Sequence, residues 1–272
     1  MYKLAVFDMD GTVLNSKHEI SKENKAAFTF LHNLGVKIVI ATGRPQELLK
    51  KYTNELQFDE YTITCNGSVI SHPIKNHYLR EHVIDKETVI GIIDMCEANN
   101  YDYLVYTREA VVSKDNERLR MFKKIGAHYK EEDKAVLIET EDADYIKNNF
   151  APNKILIMVD DPKRYLEMQE KLKVFSKIES AQSWAGALDI SPLGDNKGSA
   201  VKELCEYYQL TSNDVIAFGD QLNDVPMFEF AAFGVAMGNA INEVKVKADY
   251  ITDTNDNNGV AKAIYKFFKE KN

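Results

Sequence analysis

The chain has 272 residues, 44% hydrophobic and 10% aromatic, and its 34 Lys and Arg face 42 Asp and Glu for a net charge of −8. That length and apolar content can build one large packed domain or two smaller ones. The acidic balance, with no sustained basic run, excludes a general nucleic-acid or anionic-membrane surface, and no apolar stretch approaches the roughly 20 residues that span a bilayer.

The apolar stretch Leu4–Phe7 reads as a strand buried on both faces, as parallel strands are. Ser21 is the predicted N-cap of a helix in which Ala27, Phe30, Leu31 and Leu34 recur at helical spacing, and Gly35 falls at the left-handed position past its end. Residues 36–41 form the second predicted buried strand, and Pro45 opens the next helix. In "YTITCNGSVIS" the Asn66-Gly67 pair separates two β-rich runs and predicts a hairpin.

From about His82 to about Leu188 the pattern changes. Residues 86–99 read as a helix, "YDYLVYT" and "AVVSK" as neighbouring strands, "KAVLIET" and "NKILIMVD" as further strands, and "DPKRYLEMQEKLK" as a helix. Beyond this stretch "DVIAFGD" and "FGVAMGNA" are strands running into turns, and "YITDTNDNNGVAKAIYKFFKE" is a strand, a polar loop and a closing helix. Alternating βα units at both ends imply one parallel sheet built from the two ends of the chain, with an α+β unit inserted between them.

The first strand ends at "DMDGT", where Asp8 and Asp10 point the same way because strand side chains alternate. Gly11 permits a tight turn there, and Thr12 offers a hydroxyl. Two carboxylates at one strand end suit a hard cation with oxygen ligands, Mg²⁺ above all, though an Asp-rich turn gives the same letters. Thr42 in "ATGR" ends the second strand, where its hydroxyl could hold a phosphate oxygen or merely cap a helix. "GDQLNDVPM" puts Asp220 at another strand end with Asn223 and Asp224 close behind, and "SPLGDNKGSAV" puts Lys197 beside a glycine that opens a helix. A carboxylate can attack an anionic phosphate only where a cation, a lysine and helix N-termini cancel the repulsion, and these segments supply such parts.

Together, "DMDGT" (8–12), "ATGR" (41–44), "NKG" (196–198), "GDQLNDVPM" (219–227) and "NDNNGVAKAI" (255–264) resemble the haloacid-dehalogenase-like phosphatases, specifically the Cof-type branch with the larger α/β cap of subclass IIB. The resemblance implies a Rossmann-like, doubly wound parallel-sheet core (residues 1–81 and 189–272) and an inserted α+β cap that selects substrates (residues 82–188). By position it implies that Asp8 is the nucleophile and Asp10 the general acid/base, protonated while Asp8 is not. Thr42, Gly43, Lys197 and Asn223 would surround the phosphoryl group, and Asp8, Asp220 and the backbone carbonyl of Asp10 would hold Mg²⁺ with Asp224 in support. Arg44 and Asn66 fall where relatives often meet substrate.

The resulting expectation is an Mg²⁺-dependent phosphatase of small phosphomonoesters, such as sugar phosphates, working through an aspartyl-phosphate. A phosphotransferase or mutase with the same intermediate, and a non-catalytic phosphoester sensor, are the alternatives. The expected partner is a small-molecule phosphoester, with neither nucleic acid nor membrane, in a monomer or weak homodimer. Three widely spaced cysteines (Cys65, Cys96, Cys205) without a CxxC pair, and only four apolar residues between Lys3 and Asp8, predict a reducing, cytoplasmic setting without a signal peptide. His72, His77 and His82 are spaced too widely for a helical zinc pair, and Trp184 is expected in the core or the cap.

Overall fold

Leu4–Phe7 is buried at every position because a parallel strand flanks each edge and helices cover both faces. Leu4 aligns with Lys37 of Lys37–Ile40 on one edge and with Val215 of Val215–Gly219 on the other. Phe233–Ala236 and Tyr250–Ile251 extend the sheet to five parallel strands. This is a computed structural model, and it describes residues 2–56 and 59–269.

Alternation along the strands divides the core into two layers. Ala5, Phe7, Ile38, Ile40 and Phe218 face the helices Lys22–Asn33 and Gly259–Lys269, while Leu4, Val6, Val39 and Ala217 face Lys197–Tyr207 and Val225–Phe230. From Leu4–Phe7 the chain first winds to one side, then returns after the insertion to add strands on the other. The winding direction therefore reverses between Leu4–Phe7 and Val215–Gly219, and a doubly wound sheet opens its ligand crevice at the carboxyl ends of such a pair.

Local signals hold where their physics is local. Ser21 caps Lys22–Asn33 by accepting from Asn24 N–H, and Gly35 takes φ +74 just past the end. Pro45 differs from expectation: with ψ 161 it is extended and precedes a 3₁₀ turn, Gln46–Leu49, which leads into the helix Lys50–Leu56. Thr62–Thr64 and Val69–His72 do form an antiparallel hairpin, joined by His77–Glu81. Its connection is wider than a two-residue turn, and Cys65, Asn66 and Gly67 all have positive φ. The cause is tertiary. Cys65 and Asn66 donate backbone N–H groups to Arg44 and Thr42 carbonyls, and a Cβ on Gly67 would stand 2.3 Å from the Asn196 carbonyl oxygen.

The insertion is a six-stranded sheet in the order Ile178–Trp184, Ala187–Pro192, Lys154–Met158, Asp102–Tyr106, Val111–Ser113, Leu137–Glu139. Neighbours are antiparallel except the last pair. Lys86–Asn99, Ala143–Asn149 and Pro162–Leu172 supply helical side chains to its outer core. On the other face Leu104, Tyr106, Leu156 and Ala187 pack with Cys65, Leu48 and Phe122, so that face meets the parallel-sheet unit. The expected boundary between residues 188 and 189 cuts through Ala187–Pro192. Pairing of Leu188 with Ile157 and Asp189 with Leu156 keeps the whole strand in the inserted sheet.

The two connections to the insertion lie side by side: His82 Nδ1 is 2.9 Å from Asp195, and Arg80 joins Asp195 at 3.5 Å as well as Glu203.

Phe218 is fully buried and stacks on Phe7 at 4.5 Å between centroids, at the centre of the sheet. Phe218→Ala is expected to cost about 3–5 kcal/mol, read as a lower urea midpoint with an unchanged slope.

Candidate active site

Asp8 follows the last residue of its strand, and its N–H still donates to the Phe218 carbonyl at 2.9 Å, which sets its carboxylate at the crevice. The chain then folds back, with Leu14 N–H donating to the Met9 carbonyl at 2.9 Å. Gly11 adopts φ +80 in this loop, and a Cβ there would sit 2.4 Å from Asp220 Oδ2, so glycine alone permits the approach.

Asp220 follows directly on Val215–Gly219. Its Oδ1 accepts from the Thr12 hydroxyl at 3.0 Å and its Oδ2 from the Gln221 amide at 3.1 Å. Asp224 lies in the turn Leu222–Asp224, and its Oδ2 accepts the N–H groups of Asp220 and Gln221 at 2.8 and 2.9 Å. Lys197 opens a helix capped by Asn196, is fully buried, and donates to Asp8 Oδ1 and Asp224 Oδ1, each at 2.6 Å.

Three buried carboxylates thus converge, two of them sharing one lysine, with an oxygen from each within 4.8 Å of the others. Burial pushes Asp8 well above the usual carboxylate range; Lys197 opposes this, while Asp224, Asp220 and Asp10 add to it. Asp220 is pushed up to about 7 by burial and by Asp224, against Thr12, Gln221 and Lys197. Burial alone would lower Lys197, yet Asp224 and Asp8 hold it above its ordinary value.

This surplus of negative charge, built from oxygen donors alone, fits a hard divalent cation such as Mg²⁺. Asp8 Oδ2 has no hydrogen-bond partner among the described residues, whereas both oxygens of Asp224 are committed. No other group of His, Cys, Asp and Glu suited to a metal occurs among the described residues. His72, His77 and His82 pair separately with Asp59, Tyr61 and Asp195.

Asp10 is about half exposed and meets Arg44 in a two-pronged pair, Nε to Oδ2 at 2.7 Å and Nη2 to Oδ1 at 2.5 Å. Desolvation works to raise its pKa, but Arg44, with smaller help from Arg118 and His18, holds it below the ordinary range. Without a cation, the two shifts thus run in directions opposite to the expected order, with Asp8 raised and Asp10 lowered. The reason is local: Asp8 is buried among carboxylates, while Asp10 has a guanidinium to itself.

Thr42 and Gly43 line the crevice with Asp8, Asp10, Arg44 and Asn223, in a cavity of about 230 Å³. The Thr42 hydroxyl accepts from Arg44 N–H at 3.1 Å, closing a turn. Asn223 donates to Asn66 Oδ1 at 3.0 Å, and Asn66 donates to Asp189 Oδ2 at 2.7 Å. Asn66 itself faces a neighbouring cavity of about 340 Å³, also lined by Lys197 and Asn223. The structure thus gathers every sequence-predicted position at one end of the parallel sheet, with Asn66 at the seam to the insertion.

Sequence reasoning missed the wall supplied by the insertion. Tyr106, Arg118, Phe122, Lys154, Ser183 and Trp184 line the crevice. Lys154 is buried against Asp189 at 2.6 Å, and Ser183 also donates to Asp189. Trp184 ends a strand at the cavity and is partly exposed. These residues are dispersed over four elements, and the one local signal was the alternating aromatic pattern of "YDYLVY".

The family of haloacid dehalogenase-like hydrolases matches residues 5–264. The phosphatase YwpJ of Bacillus subtilis is 32% identical over 278 residues, covering 95% of this chain and 97% of its own. The 5-amino-6-(5-phospho-D-ribitylamino)uracil phosphatase YcsE of the same organism is 32% identical over 262 residues, covering 96% and 94%. A solved structure of a sugar phosphatase of haloacid dehalogenase subclass IIB superposes with a TM-score of 0.85 at 26% identity, over 97% of this chain and 98% of its own. None of the described helices is long and apolar enough to cross a membrane.

Between about pH 4 and pH 7 the folded chain keeps a proton on Asp220 that the unfolded chain, near its ordinary 3.8, has released. Folding stability of cation-free protein is therefore expected to fall as pH rises through that window. Urea midpoints in EDTA at pH 5 and pH 7.5 check this, and Asp220→Asn should flatten the slope.

Proposed function

This chain belongs to the haloacid dehalogenase-like hydrolases and is a phosphatase of that family, and from that premise we propose that it hydrolyses small phosphomonoesters, Mg²⁺-dependently, through a phosphate ester of Asp8. The observation that carries this reading is the buried Lys197, which pairs with Asp8 and Asp224 together at the carboxyl end of the central strands. A lone surface aspartate could not approach a phosphate dianion, whereas this one stands beside a permanent ammonium.

In the first half-reaction an Asp8 oxygen attacks phosphorus, the bond from phosphorus to the ester oxygen breaks, and Asp10 gives its proton to the leaving alkoxide. In the second, Asp10 takes a proton from water as that water attacks phosphorus; the bond to Asp8 breaks, and phosphate departs. Lys197, the Thr42 hydroxyl and the Gly43 backbone hold phosphoryl oxygens, with Asn223 beside them. Asp8, Asp220 and the Asp10 backbone carbonyl would hold Mg²⁺, with Asp224 in support, and the ion would supply charge neutralisation for the phosphoryl group.

Arg44 resolves the opposed shifts. While it grips Asp10, that carboxylate stays anionic. A phosphoester in the crevice offers the guanidinium a competing anion, and for an Asp10 released from Arg44 burial is left to raise its affinity for the proton it must deliver.

Sugar phosphates and similar polar metabolites are the substrates we assign, because the crevice of about 230 Å³ holds a small leaving group and presents Lys154, Ser183 and Arg118 to it. Relatives that act on a sugar phosphate and on a phosphorylated ribitylaminouracil support this class. Three buried, unpaired thiols suit a reducing compartment such as the cytoplasm.

Phosphate release from p-nitrophenyl phosphate, hexose phosphates, pyridoxal phosphate and nucleotides, with Mg²⁺ or with EDTA, tests the reading. Release should require Mg²⁺, Asp8→Asn should lower kcat by roughly 10³-fold or more, and Asp10→Asn by roughly 10²- to 10⁴-fold. Release that survives both EDTA and Asp8→Asn would overturn it.

A further inference from the structure

We propose that Arg118 recognises a second anionic group, a carboxylate or a phosphate, carried by the leaving group of the substrate. The proposal rests on the phosphatase reading above and sharpens its substrate class.

Arg118 stands in the first turn of the helix Glu117–Gly126, whose N-cap Asn116 accepts from Leu119 N–H at 2.9 Å. It lines two adjoining cavities at once: the catalytic crevice and a second one of about 240 Å³. Asp10 and Arg44 border both. Under the proposed chemistry Asp10 protonates the leaving oxygen, so the second cavity continues from the leaving-group side and not from the Lys197 side.

The other cations on these walls are committed. Arg44 is paired with Asp10, Lys154 with Asp189, Lys123 with Glu139, and Lys134 with Glu131. Arg118 has no carboxylate within ion-pair distance among the described residues. Its Nη1 meets only Met121 Sδ, at 3.6 Å, and its Nε is buried with no hydrogen-bond partner. Buried donors are rarely left so in folded proteins.

The surroundings also say which ligand chemistry fits. The guanidinium carbon already lies 4.6 Å from the Trp184 ring centroid and 4.9 Å from that of Phe122. With two rings beside it, Arg118 has its N–H groups left to offer a newcomer, and a guanidinium matches a carboxylate or phosphate in two-pronged fashion.

Calorimetric titration of the Asp8→Asn protein with Mg²⁺, which should bind substrates without consuming them, tests the assignment with two matched pairs. One arm compares 3-phosphoglycerate with glycerol 3-phosphate and reads the carboxylate; the other compares fructose 1,6-bisphosphate with fructose 6-phosphate and reads the phosphate. In at least one arm the doubly anionic member should bind about 10- to 100-fold more tightly. Arg118→Met should reduce that preference to about threefold or less, and Arg118→Lys, which keeps the charge but not the fork, should retain part of it. Equal or undetectable binding within both pairs, or a preference that Arg118→Met leaves intact, overturns the proposal. The phosphatase reading fails separately, by absence of Mg²⁺-dependent release from every ester in the panel with unsubstituted protein.

Discussion

A lysine buried to zero exposure between two carboxylates sets the terms for the rest of this molecule. An ammonium removed from water is tolerated only if anions meet it at hydrogen-bonding distance, and the anions in turn are tolerated only because it is there. Meeting that condition requires a strand end to carry Asp8, a turn to carry Asp224 and a capped helix start to carry Lys197 itself, all within one crevice. The doubly wound sheet satisfies this because its winding reverses between the strands of Asp8 and Asp220. Local glycines complete the arrangement: without a Cβ on Gly11, the first loop and Asp220 can close on each other.

The same constraint divides labour between two neighbouring aspartates. Asp8 sits among like charges and is costly to ionise, while Asp10, two residues on, is held ionised by Arg44. Sequence spacing puts the two side chains on one side of the strand but says nothing about which partner each finds. Proton affinity here is a property of tertiary neighbours, and Arg44 comes from the end of a different strand.

That distinction also explains what could be read in advance. The parallel strands were legible because burial on both faces demands continuous apolar runs, and Ser21 and Gly35 were legible because caps act over a few residues. Asp8, Asp10, Thr42, Lys197, Asp220 and Asp224 were legible because each stands at the end of a recognisable strand or the start of a helix. Ile178–Trp184 and Ala187–Pro192 were not, since Gln182, Ser183 and Gly186 interrupt any apolar pattern and the pairing is set by the neighbouring strand Lys154–Met158. Lys154, Asp189 and Arg118 were invisible for a related reason. Each reads as an ordinary surface charge until the sheet of the insertion turns one face toward the crevice.

Residues 193–196 alone separate the last strand of the inserted sheet from Lys197. Within that span Asp195 is tied to His82 and Arg80 from the outgoing connection, and Asn196 caps the lysine's helix. The tether of the inserted sheet is thus also the bracket of the buried lysine. An inserted sheet so hung cannot shift far without tugging on the ammonium that pairs with Asp8. On the proposed function, selectivity and reactivity would share this span, and sequence changes that re-aim the insertion would be tolerated only where residues 193–196 stay still.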